Sequence, residues 1–449
     1  MFRRFVGLLL VLGSMALVVY ANPFDFPETV SPTLVLGFML LAAYCIGFIL
    51  ERFGLPRITG YIFAGLFLGP YFLNFYSSEA VKSLGFLNSL ALAFIAFCAG
   101  GELQVDHLKC KLKSILFLVA GQTVVVFLGV TLVVVAISGF IPLMQGYDTA
   151  GKIAISSIFG IIAVARSPSS TIAIISETKA EGDFTDIVLS VTIAKDVVII
   201  IFFAVGISLC EVILGGQGTF SLFFLLGLLV EIITAFVLGF LLGKLIIFLI
   251  EKVKIEFPVV ITAMGFLVIK FSHLLGDYLN DIHNIHLNLE PLLICMAAGF
   301  TVQNFSTHGH TFLHRMDDVS LPIYIGFFAI TGASINVDVL KTAWFLGLII
   351  VAARTVMLYA ASYISGRLSR DPPRIYNNTW LGFITQAGVS LGLLAEVARR
   401  LPEIGVPIQT ILIAAITLNQ VIGPIAFKYA LFKVGEAGIS KKQEVGSKK

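Results

Sequence analysis

Lys195 and Asp196 stand side by side within an apolar run from Ile187 to Ile213. An ionisable residue at bilayer depth costs about 2.5–3.5 kcal/mol to insert, so such residues mark ion paths, proton relays or counter-charges. Asp196 has the most chemistry open to it. Ionised, its oxygens ligate a small hard cation; it can instead take a proton. One group that holds either species, but not both, exchanges them by competition. The plainer role is a carboxylate held permanently in a packing salt bridge; the ion- and proton-binding role is preferred. Lys195 leaves the helix about 100° away from Asp196, so the two side chains need not touch. It either releases a proton when a cation takes the carboxylate, or serves as a fixed counter-charge.

Further basic groups fall in apolar surroundings. Arg354 lies mid-way along 342–366, and Arg166 interrupts another apolar stretch. Arginine stays protonated, so neither carries the proton. Both read as charge-compensating groups, facing a buried carboxylate or the carbonyl ends of broken helices. Lys270, Glu231 and Glu290 are lesser buried candidates. Glu102, after Gly100-Gly101, reads as a residue of an entry vestibule.

These groups need elements to position them, and composition says which kind. Apolar residues make up 58% of the 449 and charged residues only 13%, against about 25% charged in a soluble domain. Mean hydropathy is +0.98. Such a chain is expected to be an all-α polytopic membrane protein. A helix needs about 20 apolar residues to cross the hydrocarbon core, and that window gives about thirteen spans. They lie near 31–50, 58–76, 86–104, 114–142, 151–175, 186–213, 219–250, 257–278, 286–303, 319–337, 342–366, 378–399 and 407–432.

Two spans are interrupted by polar and turn-forming residues. One holds Arg166-Ser167-Pro168-Ser169-Ser170, the other Thr385-Gln386-Ala387-Gly388. Proline removes a backbone donor, and glycine and serine weaken the helix. Unwound backbone at membrane depth survives only where it lines a cavity or is buried in protein. An odd number of crossings separates the two breaks, so they traverse the membrane in opposite directions. Paired broken helices of opposed direction mark an inverted-repeat transporter with its site at the crossing.

Basic residues in short loops favour the cytoplasmic side. Arg52, Arg57, Lys109, Lys111, Lys113, Lys179, Lys252, Lys254, Arg315, Arg367, Arg370 and Arg374 fall on one side. Only Lys82, Lys152, Lys341, Arg399 and Arg400 fall on the other. The Lys-rich tail, 437–449, belongs to the richer side and is expected in the cytoplasm. Residues 1–21 read as a secretory signal peptide or an additional span: Arg3 and Arg4 precede an apolar stretch, and Val19 and Ala21 suit a cleavage site.

The five cysteines, Cys45, Cys98, Cys110, Cys210 and Cys295, are odd in number and contain no CxxC, so they read as small core residues. His308, His310 and His314 share one loop, and His283 and His286 lie on the opposite side. A metal site would need convergent ligands, and none is expected. Nucleotide loops, nucleophile elbows and HExxH are absent from the sequence, so no cofactor, no enzymatic activity and no nucleic-acid partner are expected.

Several motifs, in order, resemble the monovalent cation:proton antiporter superfamily, in its Kef-type and sodium/hydrogen-exchanger branch. They are Arg57–Pro70 (RITGYIFAGLFLGP), Phe97–Glu102 (FCAGGE), Ser167–Ser170, Lys195-Asp196, Phe327–Ala333 (FFAITGA), Gln386–Gly388 and Asn419–Pro424 (NQVIGP). The resemblance covers about 31–436, the membrane domain. It implies a homodimer, two broken helices crossing at the site, and an elevator-like alternation. It also implies that the second residue of an acidic or amide-acidic pair binds the ion and the proton; here that is Asp196. The family often carries a basic residue on the helix before the second broken one, and Arg354 is the nearest match. Two departures stand out. Lys195 replaces the usual Asp, Asn or Gln, which counts against two-proton electrogenic exchange. The nucleotide-binding regulatory domain of many Kef-type members is not expected here.

The leading expectation is electroneutral exchange of Na+ or K+ for H+, by an integral protein of a bacterial inner (cell) membrane. Arg166, Lys195 and Arg354 outnumber Asp196, which leaves a proton-coupled anion transporter as the second reading. A non-transporting membrane sensor or scaffold is the third.

Overall fold

The computed structural model describes residues 13–15, 32–75, 77–214, 222–283, 291–307, 309–335, 337–386 and 388–438. Most of 1–21, the tail beyond 438, Glu290, His286 and His308 lie outside these residues. The described residues form helices, turns and loops, with no strand among them.

Among the described residues, eight helices combine the length and apolarity needed to cross a membrane; Thr149–Thr178, with its internal break, is one of them. Other expected spans fall on shorter apolar helices, namely Arg57–Leu68, Phe257–Ser272, Pro291–Phe305 and Val389–Ala398. Length and hydropathy therefore do not by themselves establish thirteen crossings. The chain is an integral membrane protein. Its outward faces suit lipid: on the helix Leu222–Phe248 the residues Val230, Ile233, Val237 and Leu241 are all exposed.

The chain divides into two compact units. The first comprises Met1–Val105, Ile172–Glu177 and Glu231–Val337. Within it, Gly85–Glu102 packs on Pro291–Phe305, and Arg57–Leu68 packs on both Pro32–Glu51 and Gly309–Ala333. Glycine allows these crossings to close. A Cβ at Gly100 would stand 2.7 Å from the Phe300 amide nitrogen, and one at Gly299 would stand 3.1 Å from that of Gly101. Lipid tails are as apolar as leucine, so helices associate in a membrane through such close backbone approach. Both oxygens of Glu177 accept from the Arg57 amide, at 2.9 and 3.1 Å, which caps the helix Arg57–Leu68.

The second unit comprises Asp106–Thr171, Thr178–Val230 and Asp338–Lys449. Its long helices are Val105–Ala136, Asp183–Ile213, Val337–Ser369 and Pro402–Val434, and both broken segments enter it. Asp183–Ile213 carries Lys195 and Asp196. Its N-cap, Gly182, has φ +148° and no side chain to offer. The cap comes instead from Glu436, whose carboxylate accepts from the Phe184 and Thr185 amides (2.9 and 2.8 Å) and from Thr185 Oγ1 (2.8 Å). A carboxylate there meets orphan N–H groups and the positive end of the helix dipole. Gly435, at φ +73°, ends the last helix and turns the chain so that Glu436 reaches this position. At its far end the helix Asp183–Ile213 is tied by a bidentate ion pair, Arg400 to Glu211, at 2.7 and 2.5 Å.

Candidate functional site

The first break is short. The helix Thr149–Val164 stops at Ala165, and a new helix, Pro168–Thr178, starts three residues later. Ser167 begins the new helix. Its Oγ accepts from the Ser170 amide at 3.5 Å and pairs with Ser169 Oγ at 2.9 Å. Serine before proline at the first helical position is a favoured helix start, because the missing proline N–H needs no partner there. The second break follows the 3-10 turn Thr379–Phe383 and precedes the helix Gly388–Arg400.

The two breaks meet. The Ser167 amide donates to the Thr385 carbonyl at 3.2 Å. Gln386 Nε2 donates to the carbonyls of Ile162 (3.0 Å) and Ala165 (3.1 Å) at the end of the first helix. There the Ile162 carbonyl also accepts from the Ala165 amide at 3.2 Å, and the last carbonyls run short of intrahelical donors. Asn419 Nδ2, from the last long helix, donates to Gln386 Oε1 at 2.7 Å and fixes that amide's orientation. Ser167, Ser169, Ser170, Thr385, Gln386 and Asn419 are all buried, so these bonds are made inside the protein.

Arg354 closes the junction. It is 1% exposed. Its Nε donates to Ala163 O (2.7 Å) and its Nη2 to Ala165 O (3.3 Å). Its Nη1 donates to Ile384 O (2.6 Å), and its Nη2 also to Phe383 O (3.0 Å). One guanidinium thus serves the carbonyl ends of both broken segments, where partial negative charge accumulates. Of the two partners open to Arg354 from sequence, carboxylate or carbonyl ends, these hydrogen bonds go to carbonyls.

Arg166 is likewise 1% exposed. Its Nη2 donates to Thr171 Oγ1 (2.8 Å) and Gly382 O (3.2 Å), and its guanidinium carbon lies 4.5 Å from the centre of the Phe383 ring. Lys195 is 1% exposed as well. Its Nζ donates to Gln122 Oε1 at 3.1 Å, and Gln122 Nε2 donates to Ser362 Oγ at 3.2 Å. Asp196 is half-buried on the same helix. Its charge acts on both Arg166 and Lys195. On the same helix, Val188 packs on Gly382 in the turn before the second break, where a Cβ would stand 2.8 Å from Val188 Cγ1.

The residues singled out from sequence thus fall in one unit, at and beside one junction. Ser167, Ser169 and Ser170 flank Pro168 on one segment, Thr385, Gln386 and Gly388 belong to the other, and Arg354 bridges them. Of the lesser candidates, Glu102 and Lys270 are exposed and Glu231 is half-buried, and all three belong to the first unit. Gln122, Ser362 and Thr171 carry no sequence signal, because a single amide or hydroxyl in an apolar helix is common. His314 pairs with Asp318 at 3.6 Å.

The last long helix approaches the second break at Gly423. A Cβ there would stand 2.6 Å from Thr385 Cα and 2.7 Å from its nitrogen. Backbone cannot yield as a flexible side chain does. Gly423→Val is therefore expected to cost about 1–3 kcal/mol or more through overpacking and to reduce any transport sharply. Thermal melting in detergent checks the first, and an unchanged melting temperature would show that the approach is looser than described.

Comparison with known proteins follows the same lines. "Probable Na(+)/H(+) antiporter 3" of Methanocaldococcus jannaschii is 25% identical, over 85% of this chain and 92% of that protein. Two structures of the sodium proton antiporter MjNhaP1 from the same organism share the fold. One, at pH 8, has a TM-score of 0.61 at 19% identity and covers 90% of this chain and 96% of the other. The second, from electron microscopy, has a TM-score of 0.69 at 17% identity, with 89% and 96% covered. The family model described as "Sodium/hydrogen exchanger, transmembrane" matches residues 37–433, nearly the whole described chain, and the protein belongs to that family.

Proposed function

We propose that the protein exchanges a monovalent cation, Na+ or K+, for H+ across the membrane, with no net charge moved per cycle. The observation that carries this reading is the half-buried Asp196 on a helix packed against the junction of two backbone breaks. A carboxylate there takes a proton or a cation. Broken segments supply backbone groups that complete a cation's coordination where side chains are few. Membership of the sodium/hydrogen exchanger family and a relative described as a probable Na+/H+ antiporter support the same chemistry. In this reading Asp196 binds the ion, Ser167, Thr385 and Gln386 line the site, and Arg354 and Arg166 compensate charge. The protein works as a homodimer with its C-terminus in the cytoplasm.

Purified protein in sealed proteoliposomes tests it. An imposed pH gradient should collapse on adding Na+ or K+ and not on adding choline. With a single titrating carboxylate, or a Lys195–Asp196 pair that swaps one proton for one cation, the rate should not respond to an imposed membrane potential. A rate that tracks the potential would remove the electroneutral stoichiometry while leaving exchange intact.

A second reading has one observation in its favour. Arg166 Nε and Nη1 are buried and have no hydrogen-bond partner among the described residues. With Lys195 and Arg354, they would suit an anion moving with protons. Gradient collapse driven by an organic anion, and indifferent to Na+ and K+, would select that reading. Sealed vesicles with no flux of either kind would leave a sensor or scaffold.

A further inference from the structure

The hydrogen bond of the Lys195 ammonium goes to a neutral group. Lysine is a donor with no acceptor when charged. Its Nζ meets Gln122 Oε1, on the helix Val105–Ala136. The ammonium fixes the orientation of that amide. Oxygen must face the ammonium, and Nε2 then donates to Ser362 Oγ, on the helix that carries Arg354. Gln122 and Ser362 are both fully buried, so water does not compete for these bonds. The charged groups that act on Lys195 are Arg166 from the first break, Arg354, and Asp196 on its own helix.

We propose that Gln122, held by Ser362, is a positioning residue that sets how readily Lys195 gives up a proton when a cation reaches Asp196. An amide oxygen accepts from –NH3+ and from –NH2 alike, so both protonation states of Lys195 keep a partner. A carboxylate at the same place would hold the ammonium as a fixed ion pair. An apolar residue would leave buried Nζ without an acceptor and disfavour its charged form. The inference rests on the exchange reading above and adds to it the group that tunes its proton step.

The test compares Gln122→Glu, Gln122→Leu and Ser362→Ala with the unmodified protein in proteoliposomes. Two pH profiles are read: the exchange rate, and the rise in melting temperature on adding Na+ or K+. The second reports binding even where turnover is lost. Gln122→Glu should move both profiles toward higher pH, and Gln122→Leu toward lower pH, each by about one pH unit or more. Ser362→Ala should move them in the same direction as Gln122→Leu, by less. The opposite signs matter, because leucine adds no charge near Asp196 and so acts only through Lys195. In a Lys195→Gln background, Gln122→Leu should leave the binding profile where it is. Profiles that stay fixed, or that move the same way in both Gln122 variants, overturn the proposal. If Gln122→Leu does not fold, Gln122→Glu and Ser362→Ala decide by the same opposition of sign. Absence of cation-driven proton movement in the unmodified protein would instead overturn the exchange reading itself.

Discussion

Asp196→Asn is expected to abolish cation-driven proton movement while the protein still inserts and melts like the unmodified chain. Asparagine keeps the size and one acceptor oxygen, so packing around this half-buried position changes little. It cannot take up or release a proton near neutral pH, and it offers a cation no net charge. Exchange by competition needs both. Asp196→Glu restores the carboxylate one methylene further out, and should recover part of the rate. Proteoliposome assays of both variants, beside their melting temperatures, check the pair of outcomes. Cation-dependent proton flux at near-normal rate in Asp196→Asn would take this residue out of the mechanism.

Much of the fold is legible because the bilayer is an exacting solvent. A chain with 13% charged residues and long apolar runs has little choice but to span it as helices. The interruptions are legible for a related reason. Pro168 among serines removes a backbone donor, Gly388 after Thr385 and Gln386 weakens a helix, and each stands in an otherwise apolar stretch. Hydropathy falters at helices such as Arg57–Leu68, which runs for only 12 residues after Pro56 and stops at Gly69.

What stays hidden in sequence is the long-range pairing. The Arg354 guanidinium reaches carbonyls 191 and 189 residues before it, and others 29 and 30 residues after it. Backbone acceptors have no residue type, so no motif announces them. Gln122 acquires meaning only from Lys195, 73 positions away, and from Ser362, 240 positions away. The cap on the Lys195–Asp196 helix is equally remote: Glu436 lies 252 residues beyond Phe184. A local reading finds Gly182 there and no capping side chain at all. Lys195 is different again. Its position next to Asp196 is plain in the sequence, but its hydrogen bond to a neutral amide is not.

Arg354→Leu is expected to prevent accumulation of folded protein, a larger effect on stability than any other single change considered. Four hydrogen bonds from this side chain end on four carbonyls, two from each broken segment. Leucine fills similar space but donates nothing. The Ala165 carbonyl keeps the Gln386 amide, but the other three lose the guanidinium. Each buried carbonyl left without a donor costs about 1–3 kcal/mol, so the loss reaches into the range of a typical domain's whole stability, about 5–15 kcal/mol. Repulsion adds to it, since the variant leaves two helix C-termini facing each other with no positive charge between them. Arg354→Lys separates the two contributions. Lysine keeps the charge but is a compact point donor, without the planar fork that spans both segments. It should therefore fold with a lowered melting temperature, between the unmodified protein and the leucine variant. Yield, gel-filtration profile and thermal melting in detergent measure the series. Arg354→Leu protein that accumulates and melts normally would mean that the junction holds without its guanidinium, and that Gln386 and the Ser167–Thr385 backbone bond suffice to keep the broken segments together.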